Sequence, residues 1–302
     1  MVADPLHAPE RRRSSLLEWR MSRKRKMGLG ALAIGAAAVL AGVLLLSQAA
    51  SAKAPDTGHP QPSVAAPAAV GRLTVPILMY HYVDGTPPVA GPQSAELTVS
   101  TAQFEAEMDY LAINGFHPVT LEEVYAGLAG VGRLPAKPVA ITFDDGGRDN
   151  YSVAFPILQR HGFRATFFVI TGFVGNRVCM DWDQLRTMRA AGMAIESHTV
   201  DHPDLRSLAP ARLAEELAAS RAALARELGE DARILSYPQG RYNGTVMAAA
   251  EAAGYAAAVT TRLWWTSSSP SRYEWQRRGV APGESLAAFA RGLRGPARGS
   301  VR

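Results

Sequence analysis

The sequence predicts an α/β fold built around a parallel sheet. From Thr74 onward, short apolar stretches rich in β-branched residues alternate with longer stretches of helical periodicity. This alternation is typical of a parallel sheet, either open or closed into a barrel. Two of the apolar stretches end in clusters of carboxylate or imidazole side chains. Because barrels of this class carry their active sites at the carboxyl ends of the strands, these clusters indicate an enzyme.

Six strands and seven helices are predicted along this part of the chain. The predicted strands are 75–82, 139–143, 165–170, 194–197, 234–237 and 256–260. The predicted helices are 101–114, 121–129, 150–161, 182–191, 210–228, 244–253 and 285–293. Two helix starts carry capping signals, Ser100 with Gln103 and Asp181 with Gln184, in which a side chain accepts a hydrogen bond from a free backbone N–H of the first turn.

The N-terminal residues differ in charge from the rest of the chain. Of the 32 Lys/Arg and 27 Asp/Glu residues, 8 and 3 lie within residues 1–26, which leaves 24 of each for the remaining 276 residues. The net charge of +5 therefore comes entirely from a basic tail, 1–26. A globular part with balanced charge gives no electrostatic basis for binding nucleic acid, so we expect no nucleic-acid partner.

A charge-free apolar segment follows the basic tail. Residues 27–50 are long enough to span a bilayer, and the basic residues before them predict a cytoplasmic N-terminus and an extracytoplasmic body, hence a single-pass cell-membrane protein. The alternative is a secreted protein whose signal peptide is cleaved near Ala52, where small residues cluster. Residues 51–73 are rich in Pro and Ala and are typical of an extended spacer. The remaining residues, 74–302, form the predicted catalytic domain.

Two adjacent carboxylates end the predicted strand 139–143. Asp144 and Asp145 are followed by Gly146 and Gly147. Neighbouring residues of an extended chain point to opposite sides, so one aspartate can face a metal ion while the other faces a substrate.

Two histidines end another predicted strand in the same way. His198 follows the strand 194–197, and His202 comes four residues later. Two imidazoles and one carboxylate, with open positions left over, form a ligand set of the catalytic zinc type. The second carboxylate is then available as a general base toward a water molecule at the metal.

These motifs, together with Ser236-Tyr237-Pro238-Gln239-Gly240-Arg241-Tyr242-Asn243, resemble those of the polysaccharide deacetylase family. The resemblance extends from about Thr74 to Leu293. It implies a distorted (β/α) barrel, hydrolysis of N- or O-acetyl groups on sugars, and a divalent metal, usually zinc. It further implies that Asp144 is the catalytic base and that Asp145, His198 and His202 are the metal ligands.

The resemblance also implies roles for the Pro-containing loop. The backbone N–H of Tyr237, in the loop that holds Pro238 and Gly240, is the implied oxyanion donor. Family members often carry an arginine, at the position of Ser236, that orients the catalytic aspartate. Arg278 is the candidate replacement for that arginine in this chain.

A general acid is the remaining requirement. Many family members use a histidine near the C-terminus, but no histidine follows His202 here. His81 ends the first predicted strand, in the same location as the other motif residues, and an imidazole is suited to proton donation near neutral pH. The surrounding Leu-Met-Tyr-His-Tyr resembles the branch that acts on poly-β-1,6-N-acetylglucosamine, in which an N-terminal histidine takes this role.

These features predict a metal-dependent N-deacetylase of an extracytoplasmic polysaccharide that contains N-acetylglucosamine. The same site is compatible with an O-acetyl esterase acting on a glycan. A carbohydrate-binding domain without turnover is a third alternative, although such a domain has no need for a paired carboxylate. The expected partners are the polysaccharide and, through the N-terminal helix, the membrane.

Overall fold

The computed structural model describes residues 75–85, 87, 94–229, 231–261 and 271–294. The chain divides into two compact units, Met1–Val64 and Ala65–Arg302, and all described residues belong to the second. The predicted basic tail, anchor and spacer, residues 1–73, therefore lie outside the described residues. Within the described ranges, no helix has the length and apolarity needed to cross a membrane.

The core of the fold is a parallel sheet of eight strands. The strands in the described part of the chain are β1 Ile77–Tyr80, β2 Tyr82–Val83, β3 Thr98–Val99, β4 His117–Val119, β5 Pro138–Phe143, β6 Thr166–Val169, β7 Ala194–Ser197, β8 Ile234–Ser236, β9 Ala257–Val259 and β10 Arg278–Gly279. The order in the sheet is β10-β1-β5-β6-β7-β8-β9, with β4 also paired to β5, while β2 and β3 form a separate pair. The parallel α/β architecture predicted from the sequence is confirmed.

The sheet curls so that its two edges are linked by one segment of chain. Val259 of β9 forms a parallel bridge with Trp275, and three residues later β10 begins and pairs with β1. This irregular connection gives a half-barrel that is consistent with the predicted distorted barrel.

Seven α-helices of the described residues lie around the sheet. They are α1 Thr101–Ile113, α2 Leu121–Leu128, α3 Phe155–Arg160, α4 Trp182–Ala190, α5 Pro210–Leu228, α6 Gly244–Ala252 and α7 Leu286–Gly292. The predicted helix 150–161 is divided into a π-helical turn, Asn150–Ala154, and α3. Both predicted N-caps are present, since the side chains of Ser100 and Asp181 accept hydrogen bonds from the first turns of α1 and α4.

Side-chain alternation along β5 determines where the functional residues point. Val139, Ile141 and Phe143 belong to the apolar core between the sheet and the outer helices, where Phe143 packs against Phe104 of α1 with ring centroids 5.7 Å apart. Because successive side chains of a strand point to opposite faces, this pattern directs Asp144 toward the inner face. The outer core thus sets the direction of the catalytic candidate.

Candidate active site

Three predicted metal ligands meet at the carboxyl ends of the strands. Asp145 follows β5, whereas His198 and His202 follow β7. One ligand atom from each of the three residues lies within 4.8 Å of the other two. The Oδ1 atom of Asp145 is 3.5 Å from Nε2 of His198 and 3.8 Å from Nε2 of His202. The structure therefore forms a candidate metal site from two strand ends.

The ring of His198 has a defined orientation. Its Nδ1 lies 2.8 Å from the carbonyl oxygen of Ser236. Since a carbonyl can only accept, Nδ1 carries a proton, and Nε2 is the nitrogen that faces Asp145. A backbone carbonyl on the far nitrogen is the usual arrangement for a metal-ligating histidine.

The second histidine is neutral at physiological pH. Burial and the neighbouring His198 lower the pKa of His202 to about 4, despite the opposing influence of the two aspartates. The two imidazole rings are 4.7 Å apart and inclined by 70°. A neutral imidazole is the form that binds a metal.

The backbone at the site adopts conformations that side-chain-bearing residues rarely take. Positive φ angles of 71°, 67° and 57° occur at Asp145, Thr199 and His202. Such conformations are costly, and they persist only where the surrounding structure holds them in place. Because these angles occur at or next to the predicted metal ligands, packing and hydrogen bonds around the site must enforce its geometry.

Asp145 is further held by a tyrosine that the sequence analysis did not select. The hydroxyl of the fully buried Tyr82 donates to Oδ2 of Asp145. Burial and the charge of Asp145 raise the pKa of Tyr82 far above its usual value, so the phenol remains a donor. The two oxygens of Asp145 thus have different partners: Oδ2 accepts the hydrogen bond from Tyr82, and Oδ1 faces the two histidines.

A buried arginine orients Asp144. Nη1 and Nη2 of Arg277 lie 2.7 and 2.6 Å from the two oxygens of Asp144, and Nη2 also donates to Ser236 Oγ at 3.0 Å. Burial acts to raise the pKa of Asp144, but the guanidinium of Arg277 outweighs it and holds that pKa well below its usual value. Asp144 is therefore an anion with a fixed direction.

The orienting residue is Arg277 and not Arg278, so the proposed replacement by Arg278 is wrong. Arg278 forms an ion pair with Glu284, and its guanidinium lies 5.4 Å from the centre of the Phe289 ring. Adjacent residues of an extended chain face opposite sides, which sends Arg277 into the barrel and Arg278 toward α7. A two-residue strand gives no sequence periodicity from which this choice can be read.

The loop after β8 differs from the expectation at its first residue. The N–H of Tyr237, the implied oxyanion donor, donates to the carbonyl of Val259 at 3.2 Å and is engaged in the sheet. The side chain of Tyr237 is buried in an apolar cluster and stacks on Tyr242 with centroids 5.0 Å apart. Pro238 is buried, and Gly240 has a φ of 66°. A Cβ at Gly240 would lie 2.0 Å from Thr261 Oγ1, so this tight turn requires glycine.

His81 lies at the end of β1, half-buried beside the two aspartates. Its carbonyl oxygen accepts a hydrogen bond of 2.8 Å from the Asn150 side chain. Burial lowers the pKa of His81, and the charges of Asp144 and Asp145 offset this only in part. The predicted general acid is therefore brought to the same rim as the predicted base and ligands.

The donor set fits a divalent metal ion. It combines two imidazoles with one carboxylate, and Asp145 and His198 are buried while His202 is accessible from one side. Zinc and similar ions take such a set and keep open positions for water or substrate. A curled parallel sheet with this candidate site and a second, oriented aspartate is the arrangement that a metal-assisted hydrolase needs.

Comparison with known proteins narrows the class. Residues 132–258 match the sequence profile of the polysaccharide deacetylase family. YxkH of Bacillus subtilis (strain 168), which is named for that family, is 37% identical over 215 residues, covering 71% of this chain and 74% of YxkH. The chain therefore belongs to the polysaccharide deacetylase family and is a hydrolase, as the resemblance of its motifs implied.

Two further relatives agree with this assignment. The poly-β-1,6-N-acetyl-D-glucosamine N-deacetylase of Staphylococcus aureus (strain MSSA476) is 30% identical over 145 residues, covering 46% of this chain and 49% of that protein. The solved structure of the Streptococcus pyogenes deacetylase PplD in complex with acetate superposes with a TM-score of 0.68 at 31% identity, covering 74% of this chain and 99% of PplD. The chain thus spans about half of the staphylococcal enzyme and nearly all of the streptococcal one.

Proposed function

We propose that this hydrolase is a metal-dependent N-deacetylase that acts on an extracytoplasmic polysaccharide containing N-acetylglucosamine. The observation that carries the proposal is the separation of roles between two adjacent carboxylates. Asp145 lies with His198 and His202, whereas Asp144 is held in the fork of Arg277. One carboxylate is thereby suited to a metal ion and the other to a proton.

The substrate class is supported by the relatives. The staphylococcal relative is named for poly-β-1,6-N-acetyl-D-glucosamine, and the streptococcal structure contains acetate, the acid that any deacetylation releases. Both are deacetylases that match this chain at 30% identity or slightly more. An N-acetylated amino sugar is therefore the first substrate to test.

Asp145, His198 and His202 would hold the ion, which we propose to be zinc. When bound there, it would supply Lewis-acid chemistry toward the acetyl carbonyl and toward water. The protein's contribution is to keep the ligands in place through the Ser236 carbonyl and the Tyr82 hydroxyl.

Asp144 would accept the proton of the attacking water. The carboxylate is ionised, and Arg277 points it in one direction, so no reorganisation is needed when the water approaches. Its low pKa makes it a weak base by itself, and an ion held by Asp145, His198 and His202 would offset that weakness by lowering the pKa of water.

His81 would donate a proton to the leaving nitrogen. In the complete step a bond forms between the water oxygen and the acetyl carbon, and the bond between that carbon and the sugar nitrogen breaks. Asp144 takes one proton from water, and His81 gives one to nitrogen. The products are a free amine and acetic acid, which releases its proton to solvent and becomes acetate, and the proton on Asp144 returns to His81 through solvent.

Location belongs to the proposal as well. The charge-free residues 27–50 and the eight basic residues before them support a membrane anchor with the domain outside the cytoplasm. A polysaccharide of the cell envelope would be available to the enzyme there. Secretion after cleavage near Ala52 would leave the chemistry unchanged.

The test is acetate release from a panel of substrates. We expect the zinc-loaded protein to release acetate from β-1,6- or β-1,4-linked N-acetylglucosamine oligomers or from peptidoglycan, and chelation to abolish this release reversibly. His198→Ala is expected to lose zinc and activity together, whereas Asp144→Asn should keep zinc and lose about two to four orders of magnitude in kcat.

Three outcomes would contradict the proposal in different ways. Release from acetylated xylan alone would assign the site to an O-acetyl esterase. Binding of oligomers without any turnover would assign it to a carbohydrate-binding domain. Full zinc occupancy in His198→Ala would show that the ligands are misassigned, and loss of zinc in Asp144→Asn to the same degree as in Asp145→Asn would show that the two aspartates exchange roles.

A further inference from the structure

The segment that carries both histidine ligands turns in an unusual way. Between His198 and His202 the backbone visits the left-handed region twice, at Thr199 and at His202 itself. Such a path cannot make the regular hydrogen bonds of a helix or strand, so its N–H groups need acceptors outside the regular pattern. The acceptors of these N–H groups are the contacts that fix the positions of the two imidazoles relative to each other.

Three of the five N–H groups in the segment donate to the adjacent strand or to nearby hydroxyls. The N–H of His198 donates to the carbonyl of Val169 at 3.0 Å and so continues the sheet. The N–H groups of Thr199 and His202 donate to hydroxyls, at 3.2 Å to Ser197 Oγ and at 3.1 Å to Thr199 Oγ1. The two central N–H groups, those of Val200 and Asp201, remain to be paired.

A single buried carboxylate pairs both. Oε2 of Glu216, on α5, accepts from Val200 N at 2.9 Å and from Asp201 N at 3.0 Å. The Glu216 side chain is completely buried, and its other oxygen is paired with Arg212, which also donates to Asp201 Oδ2 at 2.7 Å. Charge-assisted bonds of this kind are stronger than neutral ones, so Glu216 fixes the centre of the turn between the two ligands.

We propose that Glu216 is a positioning residue for the metal site and that it acts by clamping the turn between His198 and His202. The inference rests on the proposed function, because it takes those histidines as ligands. Without the clamp, the adjacent N–H groups of Val200 and Asp201 lose their acceptor, and the turn between the positive φ angles of Thr199 and His202 loses its attachment to Glu216. His202 then samples other directions, and metal binding must pay the entropy of ordering it.

The chain offers a matched control for this role. Glu215 precedes Glu216 on α5 and also pairs with Arg212, at 2.9 Å, but its side chain is 62% exposed. Replacing Glu215 removes a negative charge from the same helix and a partner from the same arginine, as replacing Glu216 does. Among the described residues, Glu215 forms no hydrogen bond or ion pair with the turn between His198 and His202.

The experiment measures zinc affinity by competition with a chromophoric chelator and not by turnover. We expect Glu216→Ala to weaken zinc binding about 10- to 100-fold, the range found when groups that orient metal ligands are removed. Glu216→Gln keeps one acceptor oxygen and should weaken it less. Glu215→Ala should bind zinc like the wild type. The absorption spectrum of the Co²⁺-substituted protein should change in the Glu216 variants and stay unchanged in Glu215→Ala.

Thermal unfolding of the metal-free proteins separates positioning from general stability. If Glu216→Ala lowers Tm while zinc affinity and the Co²⁺ spectrum stay those of the wild type, Glu216 only stabilises α5 and the inference is overturned. If Glu216→Ala does not fold, Glu216→Gln alone decides, by the same two readouts. A wild-type protein that binds no zinc would overturn the proposed metal site, and this inference with it; normal wild-type binding with unaffected variants would overturn this inference alone.

Discussion

At the scale of single residues, the direction of Asp144 depends on the guanidinium of Arg277. All five N–H donors of this arginine are used, on Asp144, Ser236, Thr142 and the carbonyl of Thr260. In this chain the orienting arginine comes from the residue before β10, and Ser236 becomes one of its partners. A planar fork with every donor engaged cannot rotate without losing several bonds at once.

The first prediction concerns that fork. Arg277→Lys keeps the positive charge but loses the paired geometry, so we expect kcat to fall about 10- to 100-fold while the zinc content stays normal. Steady-state kinetics on an N-acetylglucosamine oligomer, with metal analysis of the same sample, measures both. Arg278→Lys is the control and should keep near-normal kcat; a larger loss in that variant would show that the wrong arginine has been assigned to Asp144.

The second prediction concerns His81 as the proton donor. A general acid must be protonated, so its contribution is present below its pKa and lost as the pH rises through that pKa. This loss forms the alkaline limb of the pH–rate profile, and because burial lowers the pKa of His81, the limb is shifted to lower pH. We expect His81→Ala to lower kcat by about two orders of magnitude or more and to remove the alkaline limb, with zinc content unchanged.

His117→Ala is the control for this measurement. The His117 ring pairs with the carbonyl of Ala136 at the start of β4, the end of the sheet away from the site. The control should keep the wild-type profile. A His81→Ala variant with near-normal kcat would return His81 to a structural role.

At the scale of elements, the turn that follows β5 anchors the segment that follows β1. Asp149 Oδ2 accepts from the N–H of Val83 at 2.7 Å, and the Asn150 amide donates to the carbonyl of His81 at 2.8 Å. The anchored segment carries both His81 and Tyr82. One short π-helical turn thereby positions the predicted acid and the tyrosine that holds Asp145.

The third prediction is a pH dependence of stability from Asp149. Burial raises the pKa of Asp149 to about 6. Between pH 4 and 6 the native state therefore binds a proton that the unfolded chain has released, so the free energy of unfolding decreases as the pH rises through this window. Asp149→Asn retains an acceptor for Val83 and removes the titration. We expect it to flatten this decrease by up to about 3 kcal/mol.

Denaturant unfolding at several pH values between 4 and 7.5, with a chelator present, measures this difference. The chelator removes metal binding as a second source of pH dependence. Parallel stability curves for the wild type and Asp149→Asn would contradict the prediction.

At the scale of the whole molecule, the irregular closure of the sheet completes the site. The chain passes from the Trp275 bridge on β9 to the pairing of β10 with β1. Arg277 lies between these two pairings, so the same segment that joins the edges delivers the guanidinium to Asp144. The segment that closes the sheet is therefore also the segment that orients Asp144, the predicted base.

The fourth prediction concerns how the chain is placed in the cell. If residues 27–50 are an anchor, the protein should sediment with membranes, and a protease added to intact cells should reach the domain. Replacing Arg23, Lys24, Arg25 and Lys26 with glutamine should reduce the fraction oriented in this way, because cytoplasmic basic residues set the orientation. A mature N-terminus near residue 53 would instead indicate a cleaved signal, and protection in intact cells would contradict an outside location.

The order of elements and the chemistry of the motifs could be predicted from the sequence. Helix α5 was predicted with the bounds it has, since a long apolar stripe, a proline at its start and Gly229 at its end are all local signals. Shorter elements were missed: β3 and β10 have two residues each and β4 has three, and the predicted strand 75–82 is divided into β1 and the two-residue β2. Periodicity needs more residues than these strands contain.

The sequence by itself determined which chemical groups are available and that they follow two predicted strands, 139–143 and 194–197. Only the tertiary structure decided which other residues orient these aspartates and histidines. Arg277 meets Asp144 across 133 residues of chain and Tyr82 meets Asp145 across 63, while Glu216 reaches the ligand-bearing turn from the middle of a separate helix. Local sequence signals report hydrogen bonding and burial over one or two turns of backbone. Contacts between distant residues depend on how the sheet curls and closes, which no local pattern encodes.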